Sequence, residues 1–376
     1  MIYEIEPLDH FFFRDPTPFE AGGETTVLHS VFPPFPSVYG GAFRQLNGQS
    51  GVRSLKVGWN GLRIENEFCF PMPEDICIRE KNEGGLWNLE RKSIIKKTMS
   101  NDPLNYRFSI GEKETCKPVK EMIPYIREGV MASYLKGDKD TLTCIDVNEK
   151  LSTETKLGIE IDRKSKAAKE HRIYTTLCVR PGEGVKLAVD IHGDLLGERA
   201  IIRLGGEGKL VHAEKADCHL DMEAGVGSSR YFKLYLATPA IFRKGWIPGW
   251  INEGDFTGYF GFRNRGVKVK LIGACVGRAL PWGGFGYVKR SDGRGVEYRP
   301  RELRFAVPAG SVYYFELLRG TCESAVKLFH KKCISDYRES LGFDYPIYNK
   351  FRYCDRGFGY SLIGRLSREQ EDVLHV

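Results

Sequence analysis

Short segments in which apolar and polar residues alternate constrain the fold of this chain more than any other feature. Residues 267–274 place Val267 and Val269 on one side of a strand and Lys268 on the other. Residues 231–240 alternate in the same way. Such segments outnumber helix-like ones, and 42 glycines and 18 prolines supply turns between them. The sequence therefore predicts an α+β fold with long loops rather than a helical bundle.

Two stretches carry helix signals. Prolines at three of the four positions 33–36 exclude a helix there, and Ser37 directly after them is a suitable N-cap. A helix should therefore begin at Ser37, with Arg44 about two turns further along. Residues 321–339 predict a second helix, because their apolar side chains recur at helical spacing.

Glycine-containing turns between strand-like runs predict two hairpins. The first joins the two halves of residues 200–211 across Gly205 and Gly206. The second joins residues 303–307 to residues 312–317.

The length of 376 residues allows two domains, each with its own core. We place them at residues 1–215 and 216–376. Residues 75–130 mix charged residues with prolines and predict an irregular insertion, a projecting lobe that contributes nothing to the core.

Several classes of protein are disfavoured by composition. No apolar run approaches membrane-spanning length, and the acidic N-terminus does not resemble a signal peptide, so we expect a cytoplasmic protein without membrane contact. The ten cysteines are scattered without a Cys-x-x-Cys pair, which predicts reduced thiols and no metal site. No cofactor-binding motif is present, so no cofactor is predicted.

Positive charge is concentrated in residues 263–304, which hold eleven Lys or Arg against three acids, a local net of +8 in a chain of net +7. Trp282 and Phe285 lie among these cations, with glycines at 283, 284 and 286. Cations that follow phosphates, aromatic rings that stack on bases and glycines that allow close approach are typical of grooves for single-stranded nucleic acid. The alternative is a solvated loop whose charges serve solubility.

Catalytic constellations are missing from the sequence. Neither a His-x-x-x-His pair, nor a Gly-x-Ser-x-Gly elbow, nor a Walker loop occurs. Metal-independent cleavage of RNA needs only a general acid or base, for which His10 and His29 are the candidates. A structural or surface role for both histidines is the simpler interpretation, so we expect no enzyme activity.

Four ordered stretches together resemble a known family. They are Leu-Asp-His-Phe-Phe-Phe-Arg-Asp-Pro-Thr-Pro-Phe at residues 8–19, Ser-Val-Phe-Pro-Pro-Phe-Pro-Ser-Val-Tyr-Gly-Gly-Ala at 30–42, Leu-Gly-Gly-Glu-Gly at 204–208 and Arg-Phe-Ala-Val-Pro-Ala-Gly-Ser-Val-Tyr-Tyr-Phe at 304–315. This set resembles the Cmr subunit three family, RAMP-superfamily proteins of type III-B CRISPR effector complexes. The matches run in order from residue 3 to about residue 364.

The resemblance implies two tandem ferredoxin-like (RRM-like, RAMP) folds with glycine-rich loops between them. It also implies a subunit that holds the 5′ handle of the CRISPR RNA (crRNA) in antiviral defence. Its partners would be the large palm-domain subunit and the neighbouring backbone RAMP subunit of the Cmr complex, and it would have no cleavage role of its own.

The handle-binding surface of the family carries over to this chain by motif position. It would comprise Arg14, Ser37, Arg44, Gly205, Gly206, Arg278, Trp282, Gly283, Gly284, Phe285, Gly286, Lys289, Arg290, Gly357, Phe358 and Gly359. Backbone amides at the glycine turns and at the helix start would bind phosphates, the cations would neutralise charge, and Trp282, Phe285 or Phe358 would stack on bases. Two alternatives remain: an endoribonuclease that processes crRNA with His29 or His10 as acid or base, and a scaffold that contacts only proteins.

Overall fold

A computed structural model describes residues 1–16, 27–46, 55–96, 104, 106–109, 122–138, 142–162, 164–193, 197–225, 227, 229–261, 266–290, 295–300, 302–336 and 352–375. The elements of the first half are β1 (Ile2–Pro7), β2 (Val27–Leu28), α1 (Ser37–Leu46), β3 (Lys56–Ile64), β4 (Glu67–Pro71), β5 (Ile76–Lys81), β6 (Trp87–Arg91), β7 (Ser93–Lys96), β8 (Tyr106–Ser109), β9 (Pro124–Arg127), α2 (Glu128–Lys136), β10 (Leu142–Asp146), a 3₁₀ turn (Val147–Lys150), β11 (Leu151–Ile161), β12 (Ala168–Pro181), β13 (Val185–His192), β14 (Arg199–Arg203) and β15 (Leu210–Lys215). Those of the second half are β16 (Tyr231–Leu236), β17 (Thr257–Phe260), β18 (Val267–Cys275), β19 (Leu280–Trp282), β20 (Phe285–Lys289), β21 (Val296–Pro300), β22 (Arg304–Ala306), β23 (Val312–Arg319), α3 (Cys322–Phe329), β24 (Lys332–Cys333), β25 (Tyr360–Gly364) and α4 (Arg368–His375).

The first half forms a ten-stranded antiparallel sheet in the order β14-β15-β1-β13-β3-β4-β9-β10-β6-β5. Strand β1 lies inside it because its alternation buries Tyr3 and Ile5, while Glu4 on the other face pairs with Arg63 and Lys186. The predicted hairpin across the Gly205-Gly206 turn is confirmed, since β14 and β15 pair antiparallel.

The second half forms a six-stranded sheet in the order β17-β18-β23-β16-β25-β24. Strand β18 follows the predicted alternation, with Val267 and Val269 buried and Lys268 exposed. Strand β16 is also confirmed, but it is buried on both faces, including Lys233, because the rest of the chain covers the sheet on either side.

The second predicted hairpin, between residues 303–307 and 312–317, is wrong. Strand β22 pairs with β19, and β23 lies between β18 and β16. The turn between them is held by other segments of the chain. Val307 and Ala240 exchange backbone hydrogen bonds, and the amide of Gly310 donates to the carbonyl of Leu236. An apolar strand such as β23 gains most from two neighbours and therefore takes an interior position.

Both predicted helices are present. Helix α1 begins at Ser37 as predicted, directly after the prolines. Helix α3 is shorter than expected, from Cys322 to Phe329, and the hydroxyl of Thr321 caps it by accepting a hydrogen bond from the amide of Ser324 at 3.1 Å.

Each half has a buried cluster of its own, and a further cluster is shared between the halves and includes residues of the expected lobe. Ile76, Ile94 and Ile126, all within residues 75–130, are buried in a cluster that also contains Tyr235 and Tyr314 from the second half. The expectation of an irregular insertion outside the core is therefore wrong for the described part of this region. Strands β5, β6 and β9 extend the first sheet because their apolar residues face the second one.

No helix within the described residues is long and apolar enough to cross a membrane.

Candidate nucleic-acid interface

Predicted site residues from three distant stretches meet at one junction. The indole Nε1 of Trp282 donates a hydrogen bond to the hydroxyl of Ser37 at 3.3 Å. The Trp282 ring packs edge-on against Phe358, with 5.3 Å between centroids. Phe358 also stacks on Phe35, immediately before helix α1, at 6.4 Å. We call Ser37, Trp282, Phe358 and the residues packed on them the junction.

The junction corrects the predicted role of its aromatic residues. Phe358 has no exposed surface and Trp282 is only 5 % exposed, and both belong to a buried cluster with Tyr353. A base cannot stack on a ring whose faces are covered by protein. Trp282 and Phe358 therefore hold the loops in place, and the stacking predicted for them would require the cluster to open.

The glycine turn at 357–359 also differs from the prediction. The amide of Gly357 donates to Cys354, and that of Gly359 donates to Pro239 at 2.8 Å. These amides already have protein partners and are not available to a phosphate. Gly357 is needed for its φ of +83° and for close packing, since a Cβ there would lie 2.8 Å from a methyl of Val57.

The Gly205-Gly206 turn lies against the strand that leads to Arg14. Gly205 has a φ of +90°, and the amide of Gly206 donates to the carbonyl of Phe12 at 2.8 Å. The amide of Phe13 donates to the hydroxyl of Ser30 at 2.9 Å. The turn therefore positions the segment that carries exposed Arg14, and its Gly206 amide is not offered to a ligand.

Residues 283 and 284 continue this surface. Gly283 lies next to Pro16, which a Cβ at Gly283 would approach to 3.9 Å, whereas a Cβ on exposed Gly284 would meet no atom within 4 Å. Pro16 is two residues beyond Arg14, so the 283–284 turn joins the Arg14 segment to the junction. Of the predicted glycines whose surroundings the structure describes, Gly284 has the most open ones.

The predicted cations are at the surface where the structure describes them. Arg14, Arg44, Arg278 and Arg290 are exposed. Gly286 lies in β20, which pairs with β21 as a separate hairpin. The side chains of residues 285–289, which include the predicted Phe285 and Lys289, lie outside the described part of the chain.

Sequence reasoning missed charges that the fold brings to the junction. The amide of Val57 donates to the carbonyl of Asp355 at 3.0 Å and joins β3 to the glycine turn. The Asp355 carboxylate lies 3.8 Å from Lys56 and 3.9 Å from Arg352. The contact between Arg352 and Asp355 is local, but only the tertiary contact brings Lys56 to the same carboxylate.

An apolar ridge was also missed. In the paired strands β11 and β12, Leu157, Ile159, Ile161 and Ile173 are between 50 % and 74 % exposed. Ile159 is directly opposite Ile173, and Leu157, two residues earlier in the regular part of the strand, shares its face, so these three side chains form one surface, the apolar ridge. The pairing is irregular between Ile159 and Ile161. The signal was the apolar alternation within residues 157–161. Contiguous exposed aliphatic residues mark contact surfaces.

One group of possible metal ligands occurs in the described residues, and its charges are balanced by protein. Asp9, His10 and Glu154 lie together. Lys156 and Arg180 each contact both carboxylates, at 2.8–3.3 Å. The hydrogen bond from Lys156, followed by that from His10, lowers the pKa of Asp9 to about 2. The group is an ion-pair network that ties the N-terminal segment to the β11–β12 hairpin.

His10 and His29 differ sharply in access. His10 has no exposed surface, and its Nδ1 lies 2.6 Å from Asp9. His29 is exposed. The burial of His10 does not suit a residue that exchanges protons with RNA, whereas His29 remains accessible.

The comparisons with known proteins agree with the resemblance. The family model described as "CRISPR-associated protein (Cas_Cmr3)" matches residues 3–365. No curated protein matches the chain. One similar solved chain comes from the type III-B Cmr-β complex bound to cognate target RNA and AMPPnP (13 % identity, 84 % of this chain, 86 % of that chain, TM-score 0.45). Another comes from the Csm3–Csm4 subcomplex of a type III-A CRISPR-Cas interference complex (12 % identity, 96 % of this chain, 98 % of that chain, TM-score 0.32).

Proposed function

The chain belongs to the Cas_Cmr3 family of CRISPR-associated proteins, and on that premise we propose that it is a non-catalytic RNA-binding subunit of a type III-B CRISPR effector complex. In this role it holds the 5′ handle of the crRNA. The observation that carries the proposal is the convergence of the predicted site residues at the junction, where Ser37, Trp282 and Phe358 come together from stretches more than 70 residues apart in the sequence.

The proposed mechanism separates residues that shape the surface from residues that touch RNA. Trp282 and Phe358 are buried and fix the helix start next to the 283–284 turn. Exposed Arg14 and Arg290 supply charge for the phosphates, and open Gly284 lets the RNA backbone approach closely. This division corresponds to backbone positioning, in which phosphate contacts fix the register of the strand.

We further propose that each sheet contains one ferredoxin-like unit. In this fold four strands and two helices alternate as βαββαβ, and the strands are arranged spatially as fourth, first, third and second. The neighbours β15-β1-β13-β3 follow this order in the first half, with α1 as first helix. The neighbours β25-β16-β23-β18 follow it in the second half, with α3 as second helix. Strands β4, β9, β10, β6 and β5 then extend the first unit.

The proposed protein partners are the large palm-domain subunit and a neighbouring backbone RAMP subunit. The apolar ridge of Leu157, Ile159 and Ile173 supports a role in an assembly, because covering an exposed aliphatic surface with another molecule is favourable.

A crosslinking experiment tests the proposed function. A crRNA with a photoreactive base in its 5′ handle is bound to the chain co-expressed with the large subunit, and the adduct is mapped. We expect adducts close to the 283–290 segment or the start of α1. Crosslinks confined to the large subunit would contradict handle binding and favour the scaffold role. Discrete cleavage of repeat RNA in EDTA that is lost in His29→Ala would favour the endoribonuclease instead.

A further inference from the structure

A cavity of about 570 Å³ opens beside the junction, on strand β22, whose Ala306 packs in the same buried cluster as Trp282. Its wall is formed by the end of β18, the segment before β19, strand β22, the loop at residues 245–246 and Leu104 from the first half. The volume lies within the range of binding pockets in proteins. Nothing in the proposed handle-binding mechanism uses it.

The lining of this cavity is almost entirely apolar in its side chains. Trp246, Val276 and Phe305 provide the large groups, and alanines and glycines such as Ala279 keep the space open. The carbonyl of Trp246 already accepts a hydrogen bond from the hydroxyl of Tyr313 at 2.6 Å. Among the lining side chains, the indole N–H of Trp246 is therefore the one polar group, and no side chain there can accept a hydrogen bond.

The rim is apolar and positively charged. Phe305 is 58 % exposed and its chain neighbour Leu303 is 47 % exposed. Arg304 is paired with Glu302 at 2.6 Å, but exposed Arg278, between two lining residues, has no ion pair within the described part of the chain. An exposed aromatic residue beside a hole lined by small residues is the arrangement that accepts an anchor side chain in protein interfaces.

We propose that this cavity is a protein-docking pocket that receives an aromatic or aliphatic anchor side chain from an acidic segment of a partner subunit. The apolar lining accepts the anchor, Phe305 packs against its flank, and Arg278 attracts a neighbouring carboxylate. The proposal rests on the proposed function for the existence of partner subunits, and it assigns one of their contacts to a pocket next to the junction.

A nucleobase fits the pocket less well than an apolar side chain. Recognition of a splayed-out base relies on hydrogen bonds to its edges as well as on stacking. Burying those edges against a lining whose one polar side-chain group is the Trp246 indole N–H would leave most of them, and every donor on them, without a side-chain partner, which is costly. A Leu or Phe side chain has no such requirement, and the positive charge of Arg278 at the rim favours an acidic context around it.

The test places a photocrosslinker in the pocket of the full-length chain. Phe305 is replaced by p-benzoylphenylalanine, the chain is expressed in cells with crRNA and the other Cmr subunits, and the crosslinked peptide is sequenced. We expect an adduct in one identified subunit, at an apolar or aromatic residue flanked by Asp or Glu. Filling the pocket with Ala279→Phe should reduce the adduct about tenfold or more, as displacement of an anchor does. Ile201→Ser, which removes an equally exposed apolar side chain in the other sheet, should leave the yield unchanged.

Each outcome decides between the two proposals. An adduct to RNA, an adduct to a basic peptide, or no protein adduct in a complex that contains crRNA would overturn the pocket proposal and leave handle binding intact. An adduct to an acidic apolar segment that survives Ala279→Phe would also overturn it. Crosslinking to the expected segment by a chain that carries no crRNA would overturn handle binding and leave the pocket in place.

Discussion

Replacing Lys233 by methionine should stabilise the protein. Lys233 has no exposed surface, its Nζ has no hydrogen-bond partner among the described residues, and it lies 3.4 Å from the centroid of the Tyr134 ring. Burial lowers the pKa of Lys233 from 10.5 to about 7. Because the unfolded chain then binds a proton more tightly than the folded chain, stability is lowest below pH 7 and rises with pH up to about pH 10.5.

The size of the effect follows from this difference in pKa. A shift from 10.5 to about 7 corresponds to a cost of about 5 kcal/mol when both states are protonated. The cation–π contact with Tyr134 offsets about 2 kcal/mol of what methionine would gain. We therefore expect Lys233→Met to raise the free energy of unfolding by about 2–4 kcal/mol at pH 7. This advantage should shrink by about 2 kcal/mol at pH 9. Folding still removes the proton from Lys233 there, but releasing a proton to the solvent costs about 1.4 kcal/mol less for each pH unit.

The assay is denaturant-induced unfolding at pH 7 and pH 9, followed by intrinsic fluorescence. The control is Lys268→Met, which changes an exposed lysine in the neighbouring sheet region and should have an effect close to zero at both pH values. A Lys233→Met variant that is less stable than the unsubstituted chain would refute the reasoning. An advantage that does not change with pH would refute it as well, since it would mean that the charge of Lys233 does not titrate in this range.

Three further predictions concern the core, the glycine turn and the surface. Asp75 is fully buried and accepts hydrogen bonds from two tyrosine hydroxyls, so Asp75→Leu should lower the free energy of unfolding by about 3 kcal/mol, measured by the same denaturant titration. Gly357→Ala should lower the thermal midpoint, because a Cβ there clashes at a positive φ, whereas the open Gly284→Ala should not. Arg14→Glu should weaken crRNA binding and reduce the slope of log affinity against log salt by about 1. The control Arg199→Glu, on the exposed edge strand of the first sheet, should change neither the affinity nor the slope. An unchanged slope for Arg14→Glu would mean that the RNA binds at another surface.

Elements that depend on local pattern were predictable from the sequence. Helix α1 starts at Ser37 because prolines forbid an earlier start, and β18 shows the alternation of a half-buried strand. The choice of strand partners was not predictable in the same way. Residues 303–317 contain two strands and a glycine turn, which locally favour a hairpin, yet each strand pairs with a segment remote in sequence. Strand pairing depends on how much of each strand the whole fold buries, and a short stretch of sequence does not contain this information.

In the candidate site, too, local features were predictable from the sequence and tertiary contacts were not. The sequence located the loops that meet at the junction and the family to which they belong. It assigned the wrong role to Trp282 and Phe358, because an aromatic residue next to glycines has the same local pattern whether it faces solvent or core. It also treated glycine amides as free donors, although a turn fixed by tertiary contacts uses those amides internally, as at Gly359. The base-stacking residue and the individual RNA contacts remain predictions.

The two sheets lie on either side of residues 215 and 216, each with a buried cluster of its own, and a third cluster joins them. No strand of the ten-stranded sheet lies beyond Lys215, and no strand of the six-stranded sheet precedes Tyr231. Yet the buried carboxylate of Asp75, in the first half, accepts a hydrogen bond from Tyr314 in the second half at 2.5 Å, and the amide of Gln370 in α4 donates to that same tyrosine at 3.3 Å. This hydrogen bond, buried in the cluster that the halves share, stabilises their association. Because the junction also draws on both halves, the handle-binding surface that we propose exists only when the shared core is formed.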